Sequence, residues 1–160
     1  MTDSQNAAGQ SIAEKQAAFK AMMLQKAGPV GPFAGSEDFP KSYFLIPKNL
    51  PFLVLMTLSH PIGEKLNLTD AQKNLIMAEK ETTVPRVVQD GLQAKKLELE
   101  MLERIGKFED VKNLEPLVRE IADLKIALTL EHLRCIDVVR GILGKEKYSK
   151  LVEMATAAAA

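Results

Sequence analysis

An all-α bundle or helical hairpin is the fold class this chain predicts, on three observations. Apolar residues recur at three- and four-residue spacing over long stretches, the period of a helix face and not of a strand. Ala, Leu, Glu, Lys and Met dominate, all good helix formers, while aromatics make up only 5% and Trp is absent. Helix-start signals recur as well, the clearest being Thr69-Asp70-Ala71-Gln72. There the Thr hydroxyl can accept from the N–H of Gln72, and the Gln side chain can reach back to the N–H of Thr69, forming a capping box.

Residues 1–10 are small and polar and are expected to be disordered. Ser11 and Glu14 make a second capping-box match, opening a helix over about 11–27 that ends at Gly28-Pro29. Residues 28–41 carry Pro29, Gly31, Pro32, Gly35 and Pro40 and read as a structureless connector. The expected layout is an N-terminal arm and linker over 1–41, a helical domain over 42–155 and an Ala-rich tail over 156–160. Tyr43-Phe44-Leu45-Ile46 is bracketed by prolines and reads as an extended packing segment. The pattern from Leu50 to Leu66 is helical, but Pro61 should force a kink or restart near Ser59-His60.

From Thr69 a long helix is expected to place Leu75, Ile76, Val84, Val87, Val88, Leu92, Leu99, Leu102 and Ile105 at apolar positions. Pro85 should kink it and Gly91 weaken it. Gly106-Lys107-Phe108 is the turn. The next helix has the cleanest stripe, with Leu117, Ile121, Leu124, Leu128, Cys135, Val139 and Ile142. Pro116 suits its first turn, and Gly144 is a stop before a short last helix with Tyr148, Leu151, Val152 and Met154.

At 160 residues, 46% hydrophobic and 26% charged, the chain can bury one core. Lys+Arg and Asp+Glu balance at 21 each, so no global field draws nucleic acid. No run of about 18 apolar residues offers a membrane span. A single Cys allows neither an internal disulfide nor a multi-cysteine metal cluster.

Phosphate loop, nucleophile elbow and His-Glu-x-x-His helix are all missing, so a non-enzymatic role is expected. His132 falls on or beside the buried stripe and reads either as a satisfied core histidine or as a ligand. His60 stands at the proline break. If neighbouring helices pack sequentially, His60, Met77 and His132 could meet at one level. Such a set suits a transition metal such as copper, or a non-covalently held haem. The competing reading of Met77 and Cys135 is plain core filling.

At the capping box a family comes into view. Leu68-Thr69-Asp70-Ala71-Gln72 resembles the LTxxQ motif of the Spy/CpxP-like family of bacterial envelope proteins. Lys65-Leu66-Asn67 precedes it as a helix end does there, and Phe108-Glu109-Asp110-Val111-Lys112 resembles the family's turn into its third helix. The place of the family's second box is held by Leu143-Gly144-Lys145-Glu146-Lys147, which keeps the Leu and lacks Thr and Gln. The resemblance covers about residues 50–154. It implies a four-helix hairpin fold, a cradle-shaped antiparallel homodimer and a periplasmic location. It also implies the work of an ATP-independent chaperone, an envelope-stress adaptor or, in some branches, a metal-responsive protein. The polar N-terminus is not a signal peptide, so a periplasmic location assumes a removed signal and would give way to a cytoplasmic one if none existed.

The leading expectation is therefore a stress-response module that binds unfolded or partner protein. A metal or haem sensor using His60 and His132 is the alternative, and a helical subunit of a larger assembly, docked by its arm, is a third. Leu68, Thr69 and Gln72 are expected to be structural capping residues.

Overall fold

A computed structural model describes residues 11–28, 38–45, 51–59 and 61–159. Their regular elements are all helical: α1 (Ile12–Ala27), α2 (Leu53–Thr57), α3 (Ile62–Lys65), α4 (Asp70–Gly106) and α5 (Glu115–Ala159), with single 3₁₀ turns at Lys41–Tyr43 and Val111–Leu114. The expectations for residues 1–10, for the connector over 29–37 and for Ile46 lie outside the described residues. Contacts group the chain into two compact units. The first draws on 1–19, 51–82 and 134–160, the second on 20–50 and 83–133.

In the first unit, α1 opens on the expected reciprocal cap. Ser11 N–H donates to Glu14 Oε2 at 2.7 Å, and Glu14 N–H donates to Ser11 Oγ at 3.3 Å. This end of α1 is held to its own chain, because Lys15 Nζ donates to the Leu58 carbonyl at 3.0 Å and Phe19 lies 6.2 Å from Phe52, ring to ring. Pro61 interrupts the helical pattern as its chemistry requires: α2 stops at Thr57, and α3 starts after Pro61. Gly63 lets the two helices close up, since a Cβ there would stand 2.6 Å from the Thr57 carbonyl oxygen. The core joins Leu53, Val54, Ile62, Leu66, Leu68 and Ile76 to Cys135, Val139, Leu143 and Leu151. Cys135 is buried within it.

In the second unit, α1 ends under a lysine. Lys95 is buried and its Nζ donates to the Ala27 and Gly28 carbonyls at 2.9 and 3.4 Å. These are orphan acceptors at the negative end of the helix dipole, so the ammonium charge is matched where it is buried. The end of the presumed connector is packed, not structureless: Phe39 is fully buried, and its ring edge meets Tyr43 at 5.8 Å. Gly91 explains why. A Cβ there would stand 3.1 Å from the Phe39 ring, so the glycine that lowers helix propensity makes room for an aromatic side chain. The segment after Pro40 takes one 3₁₀ turn before Phe44 extends, with Tyr43 and Phe44 buried and Leu45 exposed.

The two long helices depart from expectation in informative ways. Pro85 lies inside α4 without ending it. The positions of α4 that the second unit buries are Thr83, Val87, Gly91, Ala94, Lys95 and Leu97, while Leu92 and Ile105 face solvent. Size alone misleads here, because closely approached positions favour Ala and Gly over Leu. On α5 the predicted stripe is buried at Leu117, Ile121, Leu128, Cys135 and Val139. Gly144, at φ 73° and ψ 167°, breaks α5 where a stop was expected, and helix resumes after it. The Ala-rich end continues that helix to Ala159 instead of forming a tail, as the highest helix propensity of any residue allows.

Candidate functional site

The capping box performs its local task first. Thr69 N–H donates to Gln72 Oε1, and Gln72 N–H to Thr69 Oγ1, both at 3.1 Å. Leu68, just before it, is buried in the core of the first unit. The box also reaches across that unit. Gln72 Nε2 donates to the Ile142 carbonyl at 2.9 Å, which the break at Gly144 removes from the helical ladder. Lys147, just past the break, donates to Gln72 Oε1 at 2.7 Å and to the Asn67 carbonyl at 2.9 Å. Asn67 itself has φ 48°, a left-handed conformation that Asn tolerates at a helix end. The LTxxQ-like stretch and the stretch standing in for its partner box thus meet directly.

The candidate ligands fare differently. His60 lies outside the described residues. Met77 belongs to the first unit and is exposed on α4. His132 belongs to the second unit, where it is buried with its ring stacked on Phe44 at 4.8 Å and 21°. Beside it, Thr129 Oγ1 accepts from Leu45 N–H at 2.9 Å, so the stack and this bond fix the segment after Tyr43 against α5. Among the described residues no group of three His, Cys, Asp or Glu side chains could hold a metal ion.

What sequence reasoning missed is a second apolar face on α5. Val118, Ile126, Leu130 and Leu133 are all exposed, and their spacing of eight, four and three residues puts them on one side of the helix. The buried stripe of Leu117, Ile121 and Leu128 occupies another side. A core-facing helix needs an apolar arc of about 100°, and α5 exceeds it. That excess was visible in the sequence as apolar residues left over once the first stripe had been drawn.

At the α4–α5 turn the exposure is greater still. Phe108 is 98% and Val111 73% solvent-accessible, and Phe108 sits at φ 60°, a conformation bulky side chains rarely adopt. The turn is well braced. Arg104 Nε and Nη2 grip both oxygens of the Glu109 carboxylate at 2.8 and 2.6 Å, and Lys107 Nζ meets Glu103 at 2.5 Å. Asp110 caps the following 3₁₀ turn by accepting from Lys112 N–H at 3.0 Å. The hydrogen bond from Arg104 holds the Glu109 carboxyl below the ordinary range and raises the guanidinium in return. Lys107 does the same to Glu103. The Lys107–Glu103 pair is exposed and the Arg104–Glu109 pair half-buried, so both are screened by solvent and orient the turn more than they stabilise it.

No family model, curated protein or solved structure matches the chain. No helix of the described residues is long and apolar enough to cross a membrane.

Proposed function

We propose that the protein is a non-enzymatic helical module that holds polypeptide on exposed apolar helix surface, in the manner of Spy/CpxP-like envelope chaperones and adaptors. One observation carries this reading: α5 has an apolar face of Val118, Ile126, Leu130 and Leu133 that the core of its own unit does not use. An apolar surface left in water is a cost that folding alone does not explain, and runs of this kind suit association with apolar segments of other chains. The meeting of the LTxxQ-like box with Leu143–Lys147 supports the family comparison, since both stretches work as one junction. This reading carries with it a four-helix hairpin core, an envelope location and a homodimer.

The test is suppression of light scattering by an aggregation-prone client at stoichiometric ratios. The wild type is expected to suppress it, and Ile126→Ser/Leu130→Ser to lose most of that effect while keeping its far-UV spectrum. Equal suppression by both proteins, or none by the wild type at any ratio, would overturn the reading.

A further inference from the structure

A different face of the second unit carries chemistry that the α5 stripe lacks. Along α4 runs an open groove of about 520 Å³ with an apolar floor of Val84, Pro85, Val88 and Leu92. Its charged lining residues are both basic, Lys26 and Lys96. Among the described residues neither lysine enters an ion pair. Both stand at the same end. Lys95 donates to the Ala27 carbonyl, so the last turn of α1, which carries Lys26, lies beside residue 96. The groove is therefore polarised, apolar around Pro85 and cationic around Lys96.

We propose that this groove docks an extended polypeptide segment in which a short apolar run adjoins acidic side chains. The proposal rests on the polypeptide-holding reading above and adds the chemical class of segment that is held. Charge complementarity sets which end of the segment is acidic, with carboxylates between Lys26 and Lys96 and apolar side chains over Val88 and Pro85. From Val84 to Lys96 the helix rises about 18 Å, the span of about five extended residues. Gln89 and Gln93, one turn apart on the groove's lining, offer amides that both donate and accept, as the main chain of such a segment needs. An open groove covers one side of its occupant only. A small amphiphile needs roughly 70–90% of its surface covered, whereas a chain can gather weak contacts along its length.

The experiment is fluorescence anisotropy with two labelled peptides of about nine residues, titrated with the full chain. One peptide places glutamates after a Leu/Val run, and the other places lysines there. The acidic peptide is expected to bind about three- to tenfold more tightly, the size that two exposed ion pairs supply. Lys26→Glu/Lys96→Glu should reverse the order, and Lys26→Gln/Lys96→Gln should level it. Ile126→Ser/Leu130→Ser should keep the acidic preference. Equal affinities for wild type, or a preference that survives charge reversal, would overturn the groove assignment. So would binding of laurate without binding of the acidic peptide, or a change in solution mass on charge reversal, which would make the occupant a fatty carboxylate or a second copy. Client protection without acidic preference leaves the holding reading standing and removes this one; acidic preference without protection does the reverse.

Discussion

The two units of this chain differ in how many large apolar side chains they leave exposed. The first gathers side chains from α2, α3, α4 and both sides of the Gly144 break into one connected core and braces it with the Gln72–Lys147 bonds. The second buries Thr83, Lys95, Thr129 and His132 among its interior groups, while Leu92, Ile105, Phe108, Val111, Val118, Ile126, Leu130 and Leu133 face water. The first unit also buries Thr57 and Ser59 and exposes Leu75, Met77 and Val152, so the difference is one of degree. The contrast teaches that the larger share of exposed apolar surface lies in the second unit.

Substitutions can break this contrast. The largest effect belongs to Ile76→Ala, which empties a fully buried site of the first unit and should cost about 2–5 kcal/mol by urea denaturation. Gly63→Ala should follow at roughly 1–3 kcal/mol, because its Cβ would meet backbone and not a flexible side chain. Gly144→Ala should cost a similar ~1–3 kcal/mol, from a conformation essentially reserved for glycine. In the second unit the sign turns. Phe108→Gly should raise stability by about 1 kcal/mol, since it relieves a left-handed aromatic residue that buries nothing. Leu130→Ser should move stability by no more than about 0.5 kcal/mol while weakening client protection. If Leu130→Ser unfolds the protein, the exposed face is core and the contrast collapses.

The smallest effect is one of pH. Glu109 is held below the ordinary carboxylate range by Arg104, so its contribution is complete above that range. It is lost only as pH falls through the depressed value. Hydrogen-exchange protection around the α4–α5 turn should therefore persist while ordinary glutamates titrate and fade below them.

Helix content, the Pro61 restart, the turn at Phe108 and the Gly144 break were all legible, because each rests on local backbone chemistry that a few residues determine. The buried side of α4 was legible at Ile76 and Val87 and not beyond them. Gly91 is buried too, and its small size matters only once Phe39 is known to approach, a residue from a segment dense in Pro and Gly. The second apolar face of α5 was legible in principle but hidden by the better stripe beside it. His132 could be read as buried from its spacing, while its partner Phe44 could not, because no local pattern links residues so far apart in sequence.

Gln72 shows how such distance can dictate a single letter. A capping box accepts Glu as readily as Gln at its fourth position. Here the side chain must also donate, to the carbonyl of a residue 70 positions away. A carboxylate could close the box and pair with Lys147, but it would turn a lone pair toward the Ile142 oxygen. Gln72→Glu therefore separates the two tasks: the helix would still begin correctly, while the bend that Gly144 makes would lose its bond from α4.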